Sequence, residues 1–294
     1  MKKIAFATSS QLPSLTDDDR LAVECLQRQG VQVEPLVWDS DLQRVRDFAG
    51  IVIRSCWDYH LKPQRFLHWL SQIEAQQVPL WNSLSVVAWN LDKSYLRHLG
   101  ERGVAIPPTV WLQKNSQANL LAILNERGWE KAVVKPTISA TAYQTWITSP
   151  AKAPSDQPAL EEMLTRSGVM VQQFVDEIQT HGEWSFVFFL KKYSHAVLKR
   201  AKSGDFRVQD QFGGYLDDSS PSASLIARAQ LIVDVMEEPL LFARVDGIEI
   251  DGKFQLMELE LIEPLLFLSQ DPLASQRFSQ AIVSLLDFVP EVAF

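Results

Sequence analysis

The sequence predicts an α/β fold that begins with a doubly wound parallel sheet and continues as an α+β region with sheets of its own. In the first part, short apolar runs alternate with segments of helical periodicity, which is typical of parallel strands joined by crossover helices. From Lys131 onward several strands follow one another closely, which favours antiparallel pairing. The length of 294 residues exceeds that of one ordinary core and indicates two or three packed subdomains.

The elements of the first part follow from periodicity and end signals. Thr16 and Asp19 have the spacing of a capping box, which begins a helix that Gly30 ends. Strands are predicted at residues 4–8, 31–38, 50–54 and 78–82, and helices at 17–29 and 63–77. Ligands of such sheets bind beyond the carboxyl ends of the strands. The residues that follow the strands therefore form one candidate rim, made of 8–11, 54–59 and 82–85.

The second part carries the predicted α+β region. Helices are predicted at 92–102, 222–238 and 272–288, and a strand at 132–136. The segments 169–175, 184–190 and 195–200 are predicted to be strands of one antiparallel sheet, and a hairpin is predicted at 242–250 and 254–263. The stretch 149–158, rich in Pro, Ser and Ala, is predicted to be a loop. We expect three domains: an α/β substrate domain at 1–88, a central subdomain at 89–171 and a C-terminal subdomain at 172–294.

Composition limits the partners. The net charge of −8 argues against nucleic acid, because phosphate backbones are held mostly by basic patches. Two cysteines provide no disulfide framework, which favours the cytoplasm. No apolar run reaches the ~18 residues that a membrane helix needs, so no membrane partner is expected. Whether the protein forms a homodimer is left open.

Three acidic residues of the predicted late hairpin are candidate metal ligands. Glu258 and Glu260 are two residues apart in a strand and therefore share one face. Asp246 joins that face if the hairpin loop has three residues, but it opposes Met257 and points away if the loop has two. Clustered carboxylates suit Mg²⁺, which prefers oxygen ligands. The alternative is an ordinary solvent-exposed acidic sheet face.

Basic residues upstream of the hairpin are candidates for anion binding. Lys199 and Arg200 end a predicted strand, and Arg207 can hold a phosphate or carboxylate through two parallel hydrogen bonds. Gly213 and Gly214 allow close backbone approach to an anion. The alternative is a solvated charged loop.

Two further segments could contact a nucleotide. Lys135 ends an apolar strand, and the following loop, which includes Ser139, has small and hydroxyl residues whose backbone N–H groups could cover phosphates. This loop contains no glycine, and the chain has neither a Walker motif nor a dinucleotide-binding fingerprint. A strand edge that could contact an adenine is formed by Gln172, Gln173, Phe174 and Val175. Glu183 follows as a carboxylate that could accept hydrogen bonds from ribose hydroxyls.

These segments occur in an order that resembles the ATP-grasp superfamily over about residues 85–268. The stretch around Lys93 is similar to the family's entry helix, and residues 133–136 to its first phosphate-binding lysine. Residues 200–214 resemble RimK-type glutamate ligases and, more loosely, bacterial glutathione synthetase. Residues 54–59 and 260–264 look closer to a small-molecule subgroup that includes the cyclo-ligase of cycloserine biosynthesis. The resemblance departs at the glycine-free loop and at Glu260, where the family often has Asn.

The resemblance implies an ATP-grasp architecture, in which two α+β subdomains clasp the nucleotide. It implies an enzyme that uses ATP and Mg²⁺, for which Mn²⁺ can substitute, to join a carboxylate to an amine through an acyl phosphate. ATP would be bound by Lys93, Lys135, Ser139, Gln172, Gln173, Phe174, Val175 and Glu183. The metal would be held by Asp246, Glu258 and Glu260, and the catalytic cations would be Lys199, Arg200 and Arg207.

The substrate is predicted to meet the rim of the first sheet and the twin glycines. The candidates are Arg54, Trp57, Asp58, Tyr59, Gly213 and Gly214. Arg54 could pair with a substrate carboxylate and Asp58 with an amine, whereas Trp57 and Tyr59 could equally pack between subdomains. A small amino-acid-like substrate is preferred over a protein tail. The reaction could join two molecules or close a ring within one. The alternatives are an ATP-binding protein without ligase activity and a purely structural protein.

Overall fold

The structure is a computed structural model that describes residues 2–40, 42–202, 207 and 213–288. Its strands are β1 Lys3–Thr8, β2 Gln32–Val37, β3 Ile51–Ser55, β4 Leu80–Trp81, β5 Thr109–Leu112, β6 Ala132–Pro136, β7 Trp146–Thr148, β8 Val169–Gln173, β9 Glu183–Phe189, β10 Lys192–Arg200, β11 Tyr215–Asp217, β12 Phe242–Ile250 and β13 Lys253–Glu260. Its helices are α1 Asp17–Arg28, α2 Pro63–Ala75, α3 Leu84–Asn90, α4 Tyr95–Glu101, α5 Leu120–Arg127, α6 Ala153–Arg166, α7 Glu177–Thr180, α8 Ala223–Asp234 and α9 Ala274–Phe288.

The first sheet is parallel, in the order β2-β1-β3-β4, as the sequence predicts. Successive side chains of β1 point to opposite faces, so Phe6 packs toward α1 and α9 while Ala7 packs toward α2. The sheet is therefore covered on both sides, which confirms the doubly wound arrangement. Thr16 caps the predicted helix, because Asp19 N donates to Thr16 Oγ1 at 3.0 Å.

The central sheet is antiparallel, in the order β5-β8-β6-β7, and packs against α5 and α6. Two predictions are wrong here. Residues 169–175 were expected in one sheet with the next two strands, but β8 pairs with β5 and β6 instead. Residues 153–158 of the predicted loop instead form the start of α6. Pro154 lies in the first turn, where its missing N–H costs no helical hydrogen bond, and Pro158 lies inside the helix.

The third sheet is antiparallel, in the order β11-β10-β9-β12-β13, with α8 packed on it. The outer edge of β13 is covered by side chains rather than by another strand. Asn90 donates to Leu259 O at 2.8 Å and accepts from Leu261 N at 2.9 Å, and the Tyr95 hydroxyl accepts from Leu259 N at 3.0 Å. These buried hydrogen bonds fix the strand that carries Glu258 and Glu260.

No helix in the described part of the chain is both long and apolar enough to cross a membrane. Both cysteines are free thiols, and Cys56 is buried in the core of the first sheet. The predicted domain boundaries remain predictions. The C-terminal helix α9 packs with the first sheet, so the last residues of the described chain return to the N-terminal domain.

Candidate active site

A cavity of about 1050 Å³ lies where the three sheets meet. Most of the residues that the sequence analysis selected line it, although they come from distant parts of the chain. The predicted residues on its wall are Trp57, Tyr59, Lys93, Lys135, Ser139, Gln172, Gln173, Phe174, Val175, Glu183, Lys199, Arg207, Gly214, Asp246, Glu258 and Glu260. The remainder of the predicted basic run, residues 203–206, lies outside the described residues.

The hairpin places its three carboxylates on one face by a route that the sequence analysis did not foresee. The loop has two residues, Asp251 and Gly252, both with positive φ, which is the arrangement predicted to turn Asp246 away. A β-bulge then shifts the register, so that Gly247 opposes Leu256 but Asp246 opposes Glu258. At Gly247 a Cβ would lie 2.6 Å from Gln255 O, so only glycine fits this bulge.

Asp246 is the most strongly held carboxylate of the cavity. It accepts hydrogen bonds from Ser185 Oγ at 2.6 Å and from Arg244 Nε at 2.9 Å, and Lys199 Nζ lies 3.1 Å from its Oδ2. Burial alone would raise the pKa of Asp246, but Arg244 and Lys199 outweigh it and hold the pKa well below the usual range. Asp246 is therefore ionised, and Lys199 also pairs with Glu183 at 2.5 Å.

Two lysines face the same carboxylates from the other side. Lys93 Nζ lies 2.8 Å from Glu258 Oε1 and donates to Ser139 O at 2.6 Å. The Lys135 ammonium forms neither a hydrogen bond nor an ion pair with any other residue that the structure describes, and burial lowers its pKa. A half-buried ammonium without a partner is costly, so this end of the cavity suits an anion.

Arg244 is a site residue that the sequence analysis missed. Its guanidinium is buried, makes an ion pair with Asp246 at 2.8 Å and contacts Glu260, and Nη1 donates to Leu265 O at 3.0 Å. Strand alternation could have found it, because a residue two positions before Asp246 shares its face. Burial raises the pKa of Glu260 to about 8 despite the opposing effect of Arg244, and the neighbouring carboxylates Asp246 and Glu258 raise it further.

The predicted adenine-binding segment and the covering loop both line the cavity. Gln172 is buried at the end of β8, and its Nε2 donates to Thr109 Oγ1 at 3.2 Å. The loop 137–145 turns over the cavity with positive φ at Thr141, Ala142 and Gln144, although it contains no glycine. The Tyr143 ring lies 5.1 Å from the ring of His60, so the loop touches the N-terminal domain.

Four predicted residues do not line the cavity. Arg200 follows Lys199 in β10, so it points to the opposite face, where it pairs with Asp217 at 2.6 Å. Asp58 accepts a hydrogen bond from Trp38 Nε1 at 2.8 Å. Gly213 precedes the cavity residue Gly214 in the chain. A Cβ at Gly213 would lie 3.2 Å from the Lys202 side chain.

Arg54, the fourth, was expected to bind substrate but is only 2% exposed. Its Nε donates to Asp19 Oδ1 at 2.8 Å and its Nη2 to Pro264 O at 3.1 Å. The guanidinium also lies over the Phe242 ring, 5.4 Å from its centre. A buried guanidinium must be paired, and here the partners belong to the fold, so Arg54 fastens α1 and the segment after β13 to the first sheet.

Two further acids of the cavity wall were missed. Asp18, in the first turn of α1, and Glu263, after β13, both line the cavity. Their positions depend on how the N-terminal domain packs on the third sheet, and no local sequence pattern reports that packing. Trp57 Nε1 donates to Glu263 O at 3.1 Å, so Trp57 helps to hold this segment.

The metal site remains a prediction. Asp246, Glu258 and Glu260 offer only oxygen donors to one cavity, which suits Mg²⁺. Each is turned toward a lysine or arginine, and within the described residues no three acidic, His or Cys side chains surround one point closely enough to hold a metal.

Comparison with known proteins agrees with this geometry. Residues 4–82 match the family model of the D-cycloserine synthetase DcsG N-terminal domain. The cycloserine biosynthesis protein DcsG of Streptomyces lavendulae is 28% identical over 282 residues, covering 90% of this chain and 92% of the relative. The crystal structure of D-cycloserine synthetase DcsG superposes with a TM-score of 0.84 at 27% identity, covering 97% of this chain and 99% of that one.

A more distant solved structure is D-alanine–D-alanine ligase from Bacillus anthracis, with a TM-score of 0.72 at 15% identity over 99% of this chain and 98% of that one. An ATP-grasp RimK domain protein from Sphaerobacter thermophilus also superposes, with a TM-score of 0.69 at 15% identity, so the sheets define an ATP-grasp fold, as the sequence predicts. Within that class, the chain is a homologue of D-cycloserine synthetase.

Proposed function

We propose that this protein is an ATP-dependent ligase that joins a carboxylate to an amine of a small amino-acid-like substrate through an acyl phosphate. The observation that carries the proposal is the convergence of carboxylates and cations from different subdomains on one cavity. Its homology to D-cycloserine synthetase supports the same reaction class.

The cationic end of the cavity would bind the nucleotide. Lys135, which lacks a partner in the described structure, would gain one from an ATP phosphate, together with Lys93, Ser139 and Lys199. The adenine would lie against residues 172–175, and Glu183 would accept hydrogen bonds from the ribose. The loop 137–145 covers this end and would keep water from a reactive intermediate.

Asp246, Glu258 and Glu260 would hold Mg²⁺, with Mn²⁺ as a substitute. When bound, the ion offsets negative charge on the nucleotide phosphates. Lys93, Lys199 and Arg244 would exchange contacts with these carboxylates for contacts with phosphate oxygens.

The reaction needs a stabilised oxyanion and a good leaving group. A carboxylate oxygen attacks the γ-phosphorus and ADP leaves; the amine nitrogen then attacks the acyl carbon, loses a proton, and phosphate leaves with the former carboxylate oxygen. Arg207 and Arg244 both line the cavity and would donate to the developing negative charge, with the Gly214 backbone beside them. Removing one such donor typically costs ~3 kcal/mol.

The relatives favour the substrate class. They are named for D-cycloserine synthesis and for joining D-alanine to D-alanine, so a small amino-acid derivative is preferred over a protein tail. Ring closure within one molecule is the first reaction to test.

The test is ADP release from Mg·ATP in the presence of amino acids, ureido-substituted amino acids and short peptides. A ligase releases ADP only with a suitable compound and forms an equal amount of amide product. A thermal shift with Mg·ATP but no stimulated release would identify an ATP-binding protein without ligase activity. No thermal shift at all would overturn the proposal.

A further inference from the structure

The segment after β13, residues 264–268, contributes Leu265 and Phe267 to the cavity wall but is in no strand of the described chain. Side chains must therefore satisfy its buried carbonyls. Of these side chains only Arg244 lines the cavity, so His195 acts on the site through the segment. Three successive carbonyls each contact one basic side chain: Pro264 O contacts Arg54 Nη2 at 3.1 Å, Leu265 O contacts Arg244 Nη1 at 3.0 Å, and Leu266 O contacts His195 Nε2 at 2.9 Å.

The register of the third sheet places His195 in the same cross-strand row as Arg244. Val187 of β9 opposes His195 of β10 on one side and Arg244 of β12 on the other. Arg244 in turn opposes Glu260 of β13. Opposed residues of antiparallel strands have their side chains on one face, so this row leads from the buried His195 to the cavity. The segment 264–268 lies over the row, because its neighbouring carbonyls contact both basic side chains.

The hydrogen bonds of His195 fix its tautomer. Leu266 O can only accept, so Nε2 carries the proton, and Nδ1 accepts from the Ser194 hydroxyl at 2.9 Å. Ser194 Oγ accepts from Arg277 Nε at 2.8 Å, and Arg277 Nη2 donates to Asp271 Oδ1 at 2.5 Å. Burial, the largest influence, lowers the pKa of His195, which keeps the ring neutral. This chain of hydrogen bonds therefore runs from α9 through the imidazole and ends on the segment.

The segment in turn orients Arg244. Leu265 O accepts from its Nη1, and the Phe267 ring lies 5.6 Å from the guanidinium carbon. Phe267 has a left-handed backbone with a φ of 52°, which a bulky residue adopts only where the surrounding contacts hold it. The hydrogen bond from His195 to the preceding carbonyl, Leu266 O, is one of those contacts. Its loss would free both the ring and the carbonyl that fix the plane of Arg244.

We propose that His195 is a positioning residue for Arg244 and acts by holding the segment 264–268 in place. The inference rests on the proposed ligase function, in which Arg244 donates to developing negative charge. Such a donor must keep its direction when ligands replace its carboxylate partners, and a displacement of ~1 Å can cost about 10²-fold in rate. The contacts with Leu265 O and Phe267 involve only the protein, so they maintain that direction during the reaction.

The test replaces His195 by two amides of different length. The glutamine amide reaches the position of Nε2 and can donate to Leu266 O, whereas the asparagine amide reaches only the position of Nδ1. The matched control is Ile232→Ala, which lowers stability from α8, on the other face of the same sheet. Steady-state ADP release from Mg·ATP is measured with D-alanine, D-serine and ureido-substituted alanine. Urea unfolding of each variant gives its stability.

His195→Asn is expected to lower kcat by about 10- to 100-fold, because Arg244 is displaced, with KM for ATP unchanged. His195→Gln and Ile232→Ala should keep kcat within about 3-fold of the parent, since the hydrogen bond to Leu266 O remains. Parent-like kcat in His195→Asn, or an equal loss in His195→Gln, would overturn the inference while leaving the ligase intact. A parent protein that releases no ADP with any compound would overturn the ligase proposal, and this inference with it.

The Arg244→Lys background separates positioning from a general loss of structure. If His195 acts through Arg244, His195→Asn should lower kcat of Arg244→Lys by less than about 2-fold, because coupled substitutions are not additive. The same fold loss in both backgrounds would overturn the inference. Should His195→Asn fail to fold, Phe267→Leu makes the comparison at the other end of the segment. It should lower kcat of the parent by about 2- to 30-fold, the range of a cation–π contact, and parent-like kcat would again overturn the inference.

Discussion

Arg54 and Arg244 are both buried arginines that pair with an aspartate, yet they belong to different parts of the molecule. Arg54 lies beneath the N-terminal end of the cavity, and its partners are Asp19, a backbone carbonyl and two phenylalanine rings. Arg244 lies on the cavity wall among carboxylates that face the interior. The position of Arg54 at a strand end on the predicted rim was thus insufficient to identify it as a ligand contact. Whether a buried arginine can contact a ligand depends on the groups with which it is paired.

The largest effect is expected for Arg244→Ala. The substitution removes a donor at the reacting centre and leaves Asp246 and Glu260 without it, so turnover should fall about 10²- to 10³-fold. Stability should also fall by ~3–5 kcal/mol, the usual cost of breaking a buried ion pair. Arg244→Lys, which keeps the charge, separates the two effects when kcat and urea unfolding are measured together. Parent-like turnover in Arg244→Ala would remove Arg244 from the site.

Arg54→Ala should act mainly on stability. Asp19 would be left buried without its partner, at a cost of ~3–5 kcal/mol in the free energy of unfolding. The Arg54→Met/Asp19→Asn double variant should regain part of this loss, because no unpaired charge remains. Urea unfolding measures the stability, and calorimetric titration with Mg·ATP and with the substrate compounds measures the binding. A folded, stable Arg54→Ala protein that binds compounds poorly would restore the direct substrate contact that the sequence suggested.

Glu258→Gln is expected to weaken Mg-dependent ATP binding by about 10- to 100-fold, as a lost carboxylate contact to a charged group typically does. Lys93 would lose its ion pair at the same time. Glu249→Gln, a half-buried acid of β12 outside the cavity, is the control. Calorimetric titration with a non-hydrolysable ATP analogue, with and without Mg²⁺, measures the affinity. Equal Mg·nucleotide affinity in Glu258→Gln and the parent would argue against the metal site.

The smallest expected effect is a pH dependence of stability. Because the folded-state pKa of Glu260 is raised to about 8, the folded protein retains a proton that the unfolded chain has lost above about pH 4.3. The ligand-free protein should therefore lose stability as pH rises from 5 to 8. Glu260→Gln should flatten this slope in urea unfolding at several pH values. An unchanged slope would show that Glu260 is ionised throughout.

Much of the fold could be predicted because periodicity and caps are local. The parallel sheet and the helix that begins after Thr16 are examples. The bulge at Gly247 could not, since it depends on how the strand packs after the turn, and the predicted turn alone would have sent Asp246 away. Asp18 was missed for a similar reason, because only the packing of two domains brings it to the cavity.

The most direct test of the central claim, that both phosphate and substrate carboxylate react in this one cavity, is oxygen transfer. The carboxylate of whichever compound supports ADP release is labelled with ¹⁸O, and the phosphate produced is analysed by mass spectrometry or ³¹P NMR. An acyl phosphate transfers one labelled oxygen to each phosphate released, and the account predicts this result. Unlabelled phosphate, produced at the same rate as ADP, would contradict it.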